Sequence, residues 1–499
     1  MEMNKFFLVK ARFHIGMLLI LLIPTNCISQ SGKESGGANK TTVESGRGKQ
    51  SYAKSHPESN IMADVIATGL GQERHTPIYG FNGANIRGEK WSNPELMQKI
   101  KSIPLKIIRY PGGNNANWWD WRTGWFVKSD QLPANFRNVQ EKVVTGLPEL
   151  KEFVEQTNCE VLFVLNILTS TLEEQIAMLK QAQQMGIPVK WIELGNELNY
   201  PENPGNKVFR NGMIYGQKIR NWVTRIKSEF PTAKVAVLGG NRNAKQELKN
   251  WNEEVLGQNI QADALAWHAY PATKNGIVKD DGIDYRQLNK TILATFNGVG
   301  MNRINSKHEI WVTEYNIQWS ILDASRSKPE VQKFATSWGQ ALSSLLMTST
   351  ISVIAPNVSM VINHNLTIYP TFAAIETFPN KTFDLLPNGM AMQVWLNSVK
   401  GMSDMRKINF TESGKPVEDY LLFGWQFSAG NEKKYLLVNL QNKKHNIDIS
   451  KIISAEADTK AYFANKNVQT RNWANITIEN GKIIDGLLEV QPYSITTIN

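Results

Sequence analysis

An α/β architecture, a (β/α)8 TIM barrel with a C-terminal antiparallel β-sandwich, is predicted for this chain by three observations. Eight short apolar runs alternate with helix-like segments between residues 77 and 400. Several of these runs, VLFVLNIL and KVAVL among them, are apolar almost throughout. Strands of a parallel sheet covered on both faces must be so. After about Gly401 the rhythm changes to strands broken by Gly, Asn and Asp, as in YLLFGWQF and KKYLLVNLQ, which suits an antiparallel sandwich.

The elements follow in order. Lys5, Lys10 and Arg12 precede an apolar stretch from Ile15 to Ile23 and then small polar residues. That is the order of a secretory signal peptide, and the stretch is too short for a membrane span. The expectation is a signal over 1–29, cleaved after Ser29, and a secreted, periplasmic or cell-surface protein. A lipid anchor at Cys27 is the competing idea, disfavoured by Asn26 before it. Residues 30–60, rich in Ser, Gly and Lys, read as a flexible linker. Residues 61–76 carry a strand, Ile61–Gly69, expected to join the sandwich.

The barrel over 77–400 has strands expected at Ile78–Ile86, Lys106–Pro111, Val161–Leu168, Val189–Leu194, Lys234–Leu238, Ala262–His268, Glu309–Glu314 and Val358–Asn363. Its clearest helix starts at Thr171, with Glu174 completing a capping box and Leu172, Ile176 and Leu179 at helical spacing. It stops at Gly186, ahead of Pro188. Another helix is expected from about Pro329 to Met347. The sandwich takes 401–499.

Composition narrows the function. With 41% hydrophobic and 20% charged residues, a largely disordered chain is excluded. Two Cys cannot build a disulfide framework, and Cys159 lies in a strand-like run, where an inert buried thiol is expected. The net charge of +10 favours acidic partners. Export turns that from nucleic acid to an acidic or sulfated polysaccharide, although scattered solvated lysines are the plainer reading. The seven His are dispersed and Gly112-Gly113 is not followed by Lys-Ser/Thr, so neither a metal nor a cofactor is expected.

Two stretches carry chemistry. VKWIELGNELNYP (189–201) is an apolar run ending in Gly195-Asn196-Glu197, and EIWVTEYNIQW (309–319) is another ending in Glu314. Period-two alternation puts Glu197 on the face of Trp191, Glu193 and Gly195, and Glu314 on the face of Ile310 and Val312. In a barrel both carboxylates stand at the C-terminal rim, where active sites lie. Glycosidic hydrolysis needs such a pair, one to protonate the leaving oxygen and one on the other side of the sugar. Either Glu alone is more often an ion-paired surface residue.

The motifs resemble those of clan A glycoside hydrolases, most nearly the arabinofuranosidase, heparanase and β-xylosidase-type families. IIRYPGGNNANWWDWRTG (107–124) is similar to an arabinofuranosidase stretch, LFVLN (162–166) with ELGNE (193–197) to the heparanase group, and WHAYP (267–271) to a sixth-strand segment of several families. The resemblance implies a retaining hydrolase of polysaccharides, with Glu197 as general acid/base, initially protonated, and Glu314 as nucleophile. It further implies that Arg109 holds Glu314 ionised, Asn196 bonds a sugar hydroxyl, His268 or Tyr270 orients Glu314, and Asn166 faces the sugar. Arg109 as a structural ion-pair partner and His268 as a core residue are the alternatives. The chain departs from the pattern at Leu198, where many clan members have Pro, and at NHNL (363–366), which lacks their Trp.

Fifteen Trp is a high count, and four crowd one loop: Trp118, Trp119, Trp121 and Trp125. Flat sugar faces stack on such rings, so Trp118 and Trp119 are candidate platforms, with other members packing the loop. The rival to catalysis is a non-catalytic carbohydrate-binding protein on a barrel scaffold, which has no need of both glutamates.

Overall fold

The computed structural model describes residues 62–139, 142–200, 204–240, 250–297, 307–318, 328–368, 371–453 and 456–499. The expected signal peptide, Cys27 and the 30–60 linker lie outside them. Residues 61–132 and 139–499 form one compact unit. Pro133–Asn138 belong to another, whose described element is the helical turn Ala134–Arg137. Among the described residues no helix is long and apolar enough to cross a membrane.

The eight apolar runs form a closed, all-parallel barrel in the order of the chain. The strands are Ile78–Asn82, Ile107–Tyr110, Glu160–Leu165, Trp191–Leu194, Lys234–Leu238, Ala264–Ala269, Glu309–Tyr315 and Val358–Asn363. Ile107, Leu162, Ala236, Ala264, Ala266, Trp311, Met360 and Ile362 fill the interior, with Ile78 and Trp191 against them. The Trp191 and Trp311 rings meet edge to face, 5.6 Å apart. These two Trp are therefore barrel core.

Local chemistry explains the helices. Leu172–Gln184 is capped by Thr171, whose Oγ1 accepts from the Glu174 amide, and it buries Ile176 and Leu179. The single helix expected over 329–347 is instead two, Lys328–Ala335 and Trp338–Ser352. The break has a tertiary cause. Ser337 pairs with Gln469 in a β-bridge, and the Trp338 amide donates to Val468 O. Trp338–Ser352 is buried along its whole length, with Trp425 Nε1 bonded to Ser349 Oγ and Trp338 Nε1 to Tyr493 O.

The C-terminal strands, Val65–Leu70 and the short strand Arg74–His75 make an 11-stranded assembly. Asp404–Glu412 runs through both layers: its first half pairs with Leu422–Ala429 and its second with Val65–Leu70. The pairing is not wholly antiparallel as expected, because Val65–Ile66 lie parallel to Ile447–Asp448. A strand entering from before the barrel has its direction set by the chain path. Val65, Ala67, Ile408, Phe410, Leu437, Ile447, Leu488 and Val490 close the sandwich core. Cys159 is buried, and burial pushes its thiol up to about 11.

Candidate active site

The site is built on one buried cation. Arg109, next to last in the second strand, points inward and is fully buried. Its guanidinium forks onto Glu193, with Nε to Oε2 at 2.8 Å and Nη2 to Oε1 at 2.9 Å. Nη1 donates to Glu314 Oε1 at 2.6 Å, and Nη2 also reaches Asn196 Oδ1 at 2.8 Å. A planar fork of five donors suits this bidentate and branching arrangement. Burial lowers the pKa of such a group, but here the two carboxylates outweigh it and raise it.

Glu314 reaches the barrel mouth through an irregularity. Thr313 Oγ1 donates inward to Glu193 Oε1, whereas Tyr315 points outward to Thr348. Strict alternation, which put Glu314 with Ile310 and Val312, is therefore wrong at this point. The register with both neighbouring strands slips here: Trp267 and His268 face Val312 and Glu314, skipping Thr313. A bulge re-aims a side chain in this way. Glu314 then accepts from Arg109 and, at 3.2 Å, from Asn82 Nδ2 through Oε1, and from the Tyr270 hydroxyl at 2.5 Å through Oε2. Burial alone would raise its pKa. The electrostatic contributions of His268, His364 and Arg109 and the Tyr270 hydrogen bond win, holding it well below the ordinary carboxylate range.

Glu197 follows the fourth strand on a turn that needs positive φ at both Gly195 (85°) and Glu197 (49°). A Cβ on Gly195 would also lie 2.6 Å from Leu198. Asn117 braces the turn: its Oδ1 accepts from the Asn196 amide at 3.1 Å, and its Nδ2 donates to Asn196 O at 2.7 Å. The Glu197 side chain keeps 22% of its surface exposed, against 5% for Glu314. His268 Nδ1 lies 2.9 Å from Glu197 Oε1 and 3.8 Å from Glu314 Oε2. Burial lowers the pKa of His268, but the two glutamates overcome it and raise it. Oxygens of Glu197 and Glu314 and a ring nitrogen of His268 all lie within 4.8 Å of one another.

The expected residues thus fall into different places. Glu197, Glu314, Arg109, Asn196, His268 and Tyr270 converge. Of the two groups offered to orient Glu314, Tyr270 bonds it and His268 pairs with Glu197. Asn196 is held between Arg109 and Asn114, with Nδ2 3.0 Å from Asn114 Oδ1. Asn166, expected to face the sugar, has its side chain bonded into the neighbouring loops. Its amide spans Trp119 O and Thr169, and its backbone amide donates to Gln175, so it ties down the loops.

Trp118 and Trp119, 2% and 4% exposed, are loop core and not platforms. Trp119 Nε1 bonds the Tyr110 hydroxyl, and its ring meets Tyr110 and Phe126 edge-on. Half-exposed rings in this loop belong to Trp121 and Trp125.

Sequence reasoning missed Asn82, Glu193 as the second partner of Arg109, and His364. Each stands at or near a barrel-strand end, the one signal that could have found them. Gly112, with φ of 77°, backs onto this network, and a Cβ there would sit 2.0 Å from Asn82 Oδ1. Gly112→Ala is therefore expected to displace Asn82 and lower kcat/KM about tenfold or more, with a smaller loss in any variant that leaves Asn82 in place. Unchanged kinetics of the purified variant would remove Asn82 from the site.

A cation could be held by the Glu197, His268 and Glu314 atoms, or by Asp64, Glu412 and His445 in the sandwich. In the second group Lys443 Nζ already bridges the carboxylates, 3.2 Å from Asp64 and 2.7 Å from Glu412. In the first, Arg109 and Tyr270 already satisfy Glu314.

Comparison with known proteins agrees with the fold. No family model matches the chain. It is 23% identical over 267 residues to the exo-α-(1→6)-L-arabinofuranosidase of Bifidobacterium longum, covering 47% of this chain and 50% of that protein. It is 21% identical over 276 residues to the intracellular exo-α-(1→5)-L-arabinofuranosidase of Acetivibrio thermocellus, covering 50% and 53%. The matched region thus spans about half the length of these relatives. The α-L-arabinofuranosidase of Thermotoga maritima, solved with arabinose, superposes with a TM-score of 0.64 at 17% identity, over 88% of this chain and 99% of that one. A family 51 α-L-arabinofuranosidase from Bifidobacterium longum gives 0.67 at 14%, with the same coverage. At these identities the structures speak to the fold, a barrel joined to a sandwich.

Proposed function

We propose that this chain, of the clan A glycoside hydrolase type resembling arabinofuranosidases in sequence and fold, is a retaining glycosidase. It releases a neutral sugar of the arabinofuranose kind from an oligo- or polysaccharide. The observation that carries the reading is the approach of Glu197 and Glu314 oxygens to within 4.8 Å. Retaining enzymes hold their carboxyl groups about 5–5.5 Å apart, whereas inverting ones leave about 6.5–9.5 Å for a water.

Each residue then has a task. Glu314, kept ionised by Arg109 and Tyr270, attacks the anomeric carbon while Glu197 gives its proton to the departing oxygen. The sugar is left esterified to Glu314. Glu197, now a carboxylate, takes a proton from water; the resulting hydroxide adds to the anomeric carbon and frees Glu314. His268 beside Glu197 can share the proton that moves on and off it.

A neutral reacting sugar is favoured because Arg109, the guanidinium at the floor, is already held by Glu193 and Glu314. The +10 net charge supports contact with acidic groups farther along a glycan. The signal-like N-terminus supports action outside the cytoplasm. The rival, a non-catalytic binder, is disfavoured by the expense of burying Glu193 and Glu314 around one Arg.

Proton NMR of the first-formed product tests the mechanism. The anomer released before mutarotation is expected to keep the configuration of the substrate; the opposite anomer would overturn the double displacement.

A further inference from the structure

His364, just past the eighth strand, belongs to the reacting centre by position, yet the scheme above gives it no task. Its Nδ1 lies 2.7 Å from Asn82 Nδ2 and 3.6 Å from Glu314 Oε2. Its ring stands edge-on to Tyr270 at 5.8 Å and to Phe372 at 5.6 Å. Unlike Arg109 and Glu314, its side chain keeps 21% of its surface exposed.

The hydrogen bonds decide which ring nitrogen holds the proton. Arg109 can only donate, and its Nη1 donates to Asn82 Oδ1 at 3.2 Å. The Asn82 amide is thereby oriented, with Nδ2 as the donor toward both Glu314 and His364. Since Nδ2 donates, Nδ1 of His364 accepts and carries no proton. A neutral imidazole then has its proton on Nε2, and burial, which lowers the pKa of His364, agrees.

We propose that His364 selects the sugar in the innermost subsite by donating from Nε2–H to one hydroxyl of the reacting sugar. This rests on the glycosidase reading of the same site. The sequence lacks at this strand end the Trp that would offer a flat apolar face. A small donor ring in that place rewards a hydroxyl at one position of the sugar and penalises its absence. A subsite built to bond a hydroxyl discriminates more sharply than one that merely fits an apolar face.

The test uses the full chain with nitrophenyl α-L-arabinofuranoside and its monodeoxy analogues. The wild type is expected to lose about tenfold or more in kcat/KM on one analogue, that lacking the hydroxyl met by His364. His364→Gln, whose amide N–H can stand where Nε2–H stands, is expected to keep that discrimination. His364→Asn retains only a partner for Asn82 and is expected to erase it at that position alone. A purely structural role would lower every substrate together. Equal discrimination by the wild type and His364→Asn at every position overturns the assignment. If the wild type cleaves no arabinofuranoside, the glycosidase reading fails by itself for that sugar. Ligand-observed NMR with L-arabinose then reads the contact: weaker binding by His364→Asn supports it, and equal or undetectable binding by both overturns it.

Discussion

Glu314→Gln is expected to lower kcat by at least about 10⁴-fold while glycan binding stays measurable. The amide is nearly isosteric, so it can still occupy the place held by Arg109, Asn82 and Tyr270, but it cannot form the glycosyl ester. The same geometry sets a pH dependence. Glu314 is held below the ordinary carboxylate range by His268, His364, Arg109 and Tyr270 against the opposing effect of burial. The form needed for attack, the carboxylate, therefore persists as pH falls. The acidic limb of kcat/KM should lie below the usual range for a free carboxylic acid, as far as this group sets it. Steady-state kinetics of the wild type and variant, with binding followed by calorimetry, check both statements. Near-normal turnover by Glu314→Gln would mean that another group is the nucleophile.

Arg109→Gln should be the most damaging change to stability at the site, about 3–5 kcal/mol by denaturant unfolding. It strands Glu193, which is fully buried and bonded through both oxygens to the guanidinium. It also removes a charge that keeps Glu314 ionised, so the acidic limb of the residual activity should move to higher pH. Glu193→Gln tests the origin of the effect, because Glu193 is a positioning residue that holds Arg109 through both oxygens and also accepts from Thr313 Oγ1. The two losses should not add in the double variant, since once the Arg is gone the Glu carboxylate is itself a liability. Strict additivity would mean that the two side chains do not depend on each other.

Much of this was legible from residue order. A run such as VLFVLNIL must be covered on both faces, and eight of these separated by helix-length segments leave few topologies other than the barrel. Glu197 and Arg109 were found because each lies at or just past the end of an apolar strand, Arg109 within Ile107–Tyr110 and Glu197 on the turn after Trp191–Leu194. The method failed at Glu314, where two residues of the seventh strand face one of the eighth. Counting by twos then names the wrong face. It failed again at Trp118 and Trp119, because a Trp that packs a loop and a Trp that stacks on a sugar have the same composition. Their exposure depends on Tyr110 and Phe126.

By itself the sequence determined the barrel, the appended sandwich and the two carboxylates at strand ends. These follow from local periodicity, in which each residue's place depends on near neighbours. The tertiary structure alone decided that Arg109 is shared between Glu193 and Glu314, that Asn82 and His364 join them, and that Ser337 interrupts a helix to pair with Gln469. Those contacts join residues separated by as many as 282 positions. Their partners are chosen by how the barrel closes, which no local pattern encodes.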